Sequence, residues 1–269
     1  MILVSIIVPF YNSSKTIKST LDSILKQTFV SFEVILINDG SEDNSLSIVE
    51  NYISKDKRLK LYNQKNNGIV SARNLGIKKS IGRFIAFLDS DDIWDPNFLE
   101  ESISMRYKSS HPIAITHCPY VRFKLNDKGI KYFVVKPPSV INHKNILKKN
   151  YIPLLSVLID RSVVKELYFE NIRPEDYKLW INLIYKYKHE SISVDKILAF
   201  YRISNQQRSK NKFNSLVRIF KFYNKLPNQN LLKSLFKTFN WGFFNFLQRI
   251  TFYGKIDPKK ITYLLGLLN

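Results

Sequence analysis

Cysteine and glycine are scarce in this 269-residue chain and long apolar runs are missing, and each of these shortages excludes a class of protein. The only cysteine, Cys118, cannot form an intrachain disulfide, so a disulfide-stabilised secreted scaffold is excluded and a reducing compartment is expected. No stretch reaches the roughly 18 uninterrupted apolar residues of a transmembrane helix. The opening MILVSIIVPFYN lacks a basic segment and a cleavage site, and therefore predicts a core strand and not a signal peptide.

Glycine and histidine patterns that mark common enzyme sites are missing too. The chain has 8 glycines but no P-loop, GxSxG or GxGxxG motif. Its 4 histidines lack metal-ligand spacing, which argues against a zinc site. Cys118 beside His117 is interpreted as a core residue and not as a nucleophile.

Positive charge greatly exceeds negative charge: 42 Lys and Arg face 22 Asp and Glu, giving a formal net charge of +20. Such a surplus favours an anionic partner, which is a nucleic acid, an acidic membrane surface or a phosphorylated substrate. A basic nucleic-acid-binding module is one interpretation. No zinc-finger, RNP or helix-turn-helix pattern supports it, so no nucleic-acid partner is expected.

Strands and helices alternate along the first hundred residues. The predicted strands cover residues 5–9, 33–37, 59–62 and 84–88. The alternation predicts an α/β fold with a Rossmann-like, mostly parallel central sheet flanked by helices. Further along, the sequence predicts strands at 113–116, 121–124, 131–135 and 155–160, a helix over 175–187, a strand pair within 191–201 and a helical C-terminal extension.

An acidic cluster, Asp89-Ser90-Asp91-Asp92, directly follows the fourth predicted strand. Ligands bind beyond the carboxyl ends of strands in such sheets. Crowded carboxylates repel one another unless a cation compensates them, and Mg²⁺ or Mn²⁺ prefers oxygen ligands shared with substrate phosphates. The cluster therefore predicts a metal site, with a solvated turn that caps the next helix as the alternative.

Two polar sites near the second and third strands are further candidates. Asp39, in Asn38-Asp39-Gly40-Ser41, could accept a hydrogen bond from a base ring, although a simple Asx-type turn would also explain it. Gly68 allows close backbone approach, and Arg73 can meet an anionic or carbonyl group. A surface helix is the alternative interpretation of this second segment.

The segment Pro174-Glu175-Asp176-Tyr177-Lys178-Leu179-Trp180 is the last candidate. Asp176 near a helix start could serve as a general base, and Trp180 could stack on a sugar face. Alternatively, the acidic residues complement the helix dipole and Trp180 lies in the core.

Seven stretches occur in a fixed order between Val4 and Tyr201 and together resemble the family 2 glycosyltransferases of the GT-A fold. They are VSIIVPFYN, TLDSILKQTF, FEVILINDGSEDNS, NNGIVSARNLGI, GRFIAFLDSDDIWDP, SVLIDRSVV and PEDYKLWINL. The segment LAFYRISNQQRSKNK also resembles the end of the catalytic domain in the bacterial cell-surface polysaccharide transferases of this family. The resemblance implies that Pro9 and Tyr11 flank the donor base, that Asp39 binds uracil or its equivalent, and that Asp176 is the catalytic base.

The candidate site then has three groups of residues. The nucleotide-binding residues are Pro9, Tyr11, Asp39, Gly68, Arg73, Asp89 and Ser90. The metal ligands, for Mn²⁺ or Mg²⁺, are Asp91, Asp89 and Asp92. Weaker acceptor or lid candidates are Glu175, Trp180 and Arg202, and the basic loop from Arg202 to about Lys212 is expected to close over the diphosphate as a lid. Ser204 stands where many relatives have a histidine, so a histidine contact at that loop is not expected.

The resemblance implies an inverting transfer of a sugar from a nucleotide-diphosphate donor, UDP being favoured, to a hydroxyl of a glycan or lipid-linked saccharide. A nucleotidyltransferase is the other enzymatic alternative. Residues 1–204 form the expected catalytic domain, with a nucleotide-binding half at 1–100 and an acceptor-binding half at 101–204. The tail at 205–269 is aromatic and carries a net charge of +11. It either contacts an anionic membrane surface, as a peripheral cytoplasmic protein would, or packs on the catalytic domain.

Overall fold

The computed structural model describes most of the chain. The described residues are 3–109, 113–126, 129–164, 166–203, 212–226, 230–251 and 257–268. In the first part strands and helices alternate as expected. The elements are β1 (Val4–Phe10), α1 (Ile17–Leu25), β2 (Phe32–Asn38), α2 (Ser45–Ile53), β3 (Leu59–Asn63), α3 (Ile69–Lys79) and β4 (Phe84–Phe87). The four predicted strands are confirmed, with small differences at their ends.

The second part has more elements than the sequence predicts. They are β5 (Ile93–Trp94), α4 (Phe98–Lys108), β6 (Ile115–His117), β7 (Tyr120–Asn126), β8 (Gly129–Val135), β9 (Val140–Ile141), β10 (Val157–Asp160), α5 (Glu175–Trp180), β11 (Ser191–Ser193), β12 (Ala199–Arg202), α6 (Lys212–Asn224), α7 (Leu231–Thr251) and α8 (Pro258–Leu268). The strand expected from residue 155 starts at Val157, after a 3₁₀ turn at Leu154–Ser156. The helix begun by α5 continues as a π-helix over Ile181–Lys186.

The main sheet has eight strands in the order β3-β2-β1-β4-β10-β6-β11-β9. Strands β3, β2, β1 and β4 are parallel, whereas β10 runs antiparallel to both β4 and β6. The carboxyl ends of β1, β2 and β4 therefore meet at one edge. The α/β fold is confirmed, with its parallel half formed by the predicted strands.

Both faces of this sheet are covered, because successive side chains of a strand point to opposite sides. Every residue of β1 is buried. Ile7 packs in a core with α3, α5 and α6, while Ile6 and Val8 pack in a second core with α1, α2 and α4. A Cβ atom on Gly76 of α3 would lie 2.4 Å from Ile7, so glycine lets this helix approach the sheet closely.

A smaller sheet, in the order β5-β12-β7-β8, lies beside the main one. Its apolar face, with Phe123 and Phe200, is covered by Leu264 and Leu267 of α8. The Tyr263 hydroxyl of α8 also donates a hydrogen bond to the backbone oxygen of Trp94 at 3.1 Å. The C-terminal helix α8 thus completes the core of the second sheet.

The predicted boundary between catalytic domain and tail does not separate two cores. Phe222 and Tyr223 of α6 belong to the main core, just as α8 belongs to that of the second sheet. The middle helix, α7, instead leaves several large apolar side chains exposed. Residues 204–211, which include the boundary and most of the expected lid, lie outside the described residues. Among the residues that are described, no helix is both long and apolar enough to span a bilayer.

Candidate active site

The predicted site residues gather at the edge where β1, β2 and β4 end. Asn12 fixes the chain after β1. It has a φ of 48°, and its side-chain oxygen accepts a hydrogen bond from the Glu42 backbone N–H at 2.9 Å. Pro9 is buried within β1, and Tyr11 is 39% exposed at its end. Tyr11 is therefore the accessible member of this pair for a base or other ligand.

Asp39 is buried just after β2, and hydrogen bonds from within the protein occupy most acceptor positions of its carboxylate. Its carboxylate accepts hydrogen bonds from Gln64 Nε2 at 2.7 Å and from the backbone N–H groups of Asn67 at 2.9 Å and Gly68 at 3.0 Å. A carboxylate has about four acceptor positions, so room remains for one further donor. These bonds hold the loop before α3, where Gly68 has a φ of +86° that favours glycine.

Arg73 joins the two halves of the site. Its Nη2 donates to both oxygens of Asp89, at 2.8 and 3.1 Å, and its Nη1 lies 3.5 Å from Glu175 Oε1. The guanidinium also lies 5.4 Å from the centroid of the Phe169 ring and is buried. Arg73 therefore sets the start of α5 beside the end of β4.

The remaining cluster residues have separate partners. Ser90 Oγ lies 2.7 Å from Ser13 Oγ, which ties the cluster to the loop after β1. Asp92 is buried and accepts a hydrogen bond from the Arg202 backbone N–H at 2.9 Å. Arg202 Nε in turn donates to the backbone oxygen of Asp91 at 2.8 Å. Asp92 and Arg202 thus connect the cluster to β12 of the second sheet.

Negative charge in this cluster is only partly compensated. Burial, and then the charge of Asp89, raise the pKa of Asp91 to about 6, although the Arg202 guanidinium opposes the shift. Burial and the charges of Asp91 and Asp89 likewise hold the pKa of Asp92 well above its usual range. A cation beside Asp89 and Asp91 would relieve this repulsion.

The three-carboxylate metal site needs correction. Within the described residues, no group of three His, Cys, Asp or Glu side chains is arranged to hold a metal ion. Asp92 is directed to the backbone of β12, which leaves Asp89 and Asp91 as the partly exposed carboxylates. This pair still fits Mg²⁺ or a similar hard ion, because such ions are commonly held by one or two carboxylates together with substrate phosphates.

Asp176 lies in the first turn of α5, next to Glu175. Its Oδ2 accepts a hydrogen bond from Asn150 Nδ2 at 3.0 Å, and its Oδ1 accepts one from the Tyr177 backbone N–H at 2.7 Å. Burial, followed by the charge of Glu175, raises the pKa of Asp176, while its two hydrogen bonds and Arg73 oppose the shift. A carboxylate held in one orientation with a raised pKa suits general-base chemistry.

The predicted contact of Trp180 with a sugar is wrong. Its side chain is fully buried, and its Nε1 donates a hydrogen bond to the Ile152 backbone oxygen at 3.0 Å. The alternative interpretation, a core position, is the one that the structure shows.

Comparison with known proteins identifies the chain. The family model described as glycosyl transferase family 2 matches residues 5–157. The UDP-Glc:alpha-D-GlcNAc-diphosphoundecaprenol beta-1,3-glucosyltransferase WfgD of Escherichia coli is 38% identical over 80% of this chain and 83% of its own length. The chain belongs to glycosyl transferase family 2.

Solved structures show that this family 2 glycosyltransferase has the GT-A fold. Staphylococcus aureus TarS 1–349 in complex with UDP-GlcNAc superposes with a TM-score of 0.66 at 21% identity, over 99% of this chain and 79% of that one. A Pyrobaculum calidifontis mannosyltransferase in complex with GDP-Man and Mn²⁺ gives a TM-score of 0.63 at 14% identity, over 98% and 78%. The nucleic-acid-binding and nucleotidyltransferase interpretations are not favoured.

Asn150 is a residue of the candidate site that sequence reasoning missed. It lies in a segment without secondary structure, in the stretch KKNYIP, which carries no recognisable motif. Its contact with Asp176 spans 26 residues of sequence. Its Oδ1 is buried without a hydrogen-bond partner among the described residues. Only the folded structure places this amide beside the carboxylate.

Proposed function

We propose that this glycosyltransferase transfers a sugar, with inversion, from a UDP-sugar to a hydroxyl of a lipid-linked saccharide during bacterial surface polysaccharide synthesis. One observation carries the proposal: the Arg73 guanidinium contacts Asp89 of the acidic cluster and Glu175, the neighbour of Asp176. This contact supports a site in which the carboxylate proposed for the diphosphate side and the neighbour of the proposed base share one buried cation.

In this proposal Asp176 accepts the proton of the acceptor hydroxyl as the oxygen attacks the anomeric carbon, opposite the diphosphate. Its raised pKa makes it a stronger base than an ordinary aspartate, and Asn150 fixes one of its oxygens. The partly exposed Asp89 and Asp91 would hold Mn²⁺ or Mg²⁺. Such an ion, when bound, neutralises charge on the diphosphate leaving group.

The donor and acceptor classes are supported by the compared proteins. The Escherichia coli relative is named for UDP-Glc and a diphosphoundecaprenol-linked acceptor, and the TarS structure contains UDP-GlcNAc. In this chain, Asp39 has room for one more donor, which is what a uracil ring N–H would supply.

A lipid-linked acceptor requires access to a membrane, and α7 supports a peripheral location at an anionic cytoplasmic membrane surface. The exposed apolar side chains of this helix occupy one continuous arc, and they are Leu231, Leu232, Leu235, Phe236, Phe239 and Phe243. The helix has no acidic residue but contains Lys233, Lys237 and Arg249. Ser234, on the opposite side, is buried near α6. Exposed aromatics combined with basic residues suit an anionic bilayer.

The decisive experiment is a transfer assay with purified protein. UDP-glucose, UDP-GlcNAc and GDP-mannose are each offered with a GlcNAc diphosphate ester that carries a short alkyl chain, with Mn²⁺, with Mg²⁺ or with a chelator. We expect UDP release and a glycosylated product with a UDP-sugar and metal. Asp91→Asn should abolish this turnover, while the exposed control Asp195→Asn should retain it. Turnover that survives the chelator and Asp91→Asn would remove the metal site from the proposal.

A further inference from the structure

Arg122, in the middle of β7, is held between two aromatic rings. The register of the second sheet places it opposite Tyr201 on β12 and Phe133 on β8. Its guanidinium carbon lies 5.0 Å from the centroid of the Phe133 ring and 5.4 Å from that of Tyr201. Stacking on both sides fixes the plane of a guanidinium and leaves its edge free to donate hydrogen bonds.

This guanidinium has no anionic partner in the described part of the chain. Arg58, Arg73 and Arg83 each form an ion pair with a carboxylate, whereas none is formed by Arg122. The Arg122 Nε is buried and has no hydrogen-bond partner among the residues described. Since the Nε is shielded, the two terminal nitrogens are the donors that remain. A fixed, unneutralised cation of this kind is suited to an anionic ligand.

Arg122 also lies beside the acidic cluster. The register of β7 and β12 places it opposite Tyr201, and the backbone N–H of the next residue, Arg202, donates a hydrogen bond to Asp92 at 2.9 Å. The charges of Arg122 and Asp176 both act on Tyr120, whose pKa burial raises to about 12. Tyr201, in turn, is within electrostatic reach of Arg122 and of Asp89, Asp91 and Asp92. The strand register and the Arg202 hydrogen bond thus place the guanidinium near the acidic cluster, on the expected acceptor-binding half of the chain.

The face of the second sheet that carries Arg122 also carries further positive side chains towards the protein surface. Val121 and Phe123 are buried towards α8, so the alternation of β7 places Arg122 and Lys124 on the other face. Lys131 of β8 is paired with Lys124 and is exposed. A row of three cations thus leads from the site to the surface.

We propose that Arg122 binds a phosphate group of the acceptor, with Lys124 and Lys131 extending this subsite. The inference rests on the proposed function, in which the saccharide that is glycosylated is itself linked to a diphosphate. In such an acceptor the phosphate is only one sugar ring away from the reactive end. The donor diphosphate is instead assigned to Asp89 and Asp91 through the metal ion.

The test compares two acceptors, the short-chain GlcNAc diphosphate ester and the alkyl glycoside of GlcNAc, which lacks phosphate. For the wild-type protein we expect kcat/KM to be higher with the diphosphate ester. Arg122→Gln should raise the KM for that ester roughly 10- to 100-fold, the effect of losing a charge-assisted hydrogen bond. Its kcat, its KM for the donor and its activity on the alkyl glycoside should change less than about twofold.

Two further variants make the test specific. Arg122→Lys, which keeps the charge but not the planar fork, should show an intermediate KM, and the exposed Lys57→Gln should behave as wild type. A loss of kcat/KM that is equal for both acceptors, or an unchanged preference for the ester, would overturn the assignment. Binding of the ester, measured by calorimetry without a donor, checks the subsite independently. If the wild-type protein binds the ester through Arg122 but transfers nothing to it, the proposed function fails and the subsite stands.

Discussion

At the scale of single residues, the aspartates of the site differ because their charges are neutralised differently. Asp89 is paired with Arg73, and Asp92 accepts a backbone N–H from β12. Asp176 is held by Asn150, whereas burial and like charge raise the pKa of Asp91 to about 6. Chemically identical side chains are thereby suited to different roles: an ion pair for Asp89, a hydrogen bond to the backbone of β12 for Asp92, proton transfer for Asp176 and cation binding for Asp91.

Asp176→Asn should stop transfer and leave the binding of a UDP-sugar largely intact, because an amide cannot accept the hydroxyl proton. We expect kcat to fall by roughly 100-fold or more, within the range of general-base contributions. Steady-state rates and calorimetric donor binding check this result. Asp195→Asn, a change at an exposed position, is the matched control.

The acid limb of the pH–rate profile provides an independent check. Since the pKa of Asp176 is raised above its ordinary 3.8, activity should fall with decreasing pH earlier than for an unperturbed aspartate. Glu175→Gln removes the neighbouring negative charge, which lowers the pKa and moves this limb to lower pH. An acid limb that keeps its position in Glu175→Gln would argue against Asp176 as the titrating base.

Trp180→Phe should lower stability without changing the KM for the acceptor. It removes the hydrogen bond to Ile152 and leaves a buried carbonyl unsatisfied, which costs about 1–3 kcal/mol. Trp94→Phe is the matched comparison, because the buried Trp94 donates a hydrogen bond to the Leu155 oxygen at 2.7 Å in the same way. Denaturant unfolding and acceptor kinetics distinguish the two roles. A selective rise in the acceptor KM for Trp180→Phe would indicate that Trp180 contacts the acceptor after all.

At the scale of elements, strands β1, β2 and β4 were predictable because each is a compact apolar run that ends in polar residues. Strands β5 and β9 have two residues each, too few to show a period. Helix α5 and its π continuation are apolar on several sides, so the sequence could not show whether Trp180 faces a ligand or the core. Contacts such as Arg73 with Glu175, separated by 102 residues, arise only from the tertiary fold.

Helix α7 should carry the binding of this protein to anionic vesicles. Replacing the exposed Leu232, Phe236 and Phe239 by serine should weaken the partition into phosphatidylglycerol vesicles at least about tenfold, because each large apolar side chain contributes roughly 1.5–3 kcal/mol when buried. Flotation or sedimentation with vesicles measures the effect. Serine at the exposed Val30, Ile81 and Tyr107 is the matched control. Equal loss of binding in both variants would argue against a specific role of α7.

At the scale of the whole molecule, the contribution of His117 to stability should decrease as the pH falls from about 7.5 to 5, opposite in sign to that of the carboxylates whose pKa is raised. Burial lowers the pKa of His117 from 6.5 to about 4, so the unfolded state takes up a proton that the native state does not. The contribution of His117 to the free energy of unfolding is complete above the unfolded pKa of 6.5. It diminishes below that pH, by about 2 kcal/mol at pH 5. Denaturant unfolding across this range measures it.

His117→Gln should remove this contribution, seen as the difference between the unfolding free energies of wild type and variant across the pH range, and the exposed His143→Gln should not. The native contacts of His117 explain the sign. Its ring lies between the Ser191 hydroxyl at 2.7 Å and the Pro138 oxygen at 2.9 Å, and no carboxylate of the described residues forms an ion pair with it. A dependence that is unchanged in His117→Gln would assign it to other groups.

The position of α8 has a consequence for how the chain is made. Leu264 and Leu267 cover the apolar face of a sheet whose strands come from residues 93–202, so a ribosome synthesises the cover after the face that it protects. Until α8 emerges, Phe123 and Phe200 are open to water or to a holdase chaperone. Nascent chains stalled before residue 258 are therefore expected to aggregate or to recruit chaperones, even though every strand of both sheets has already been synthesised.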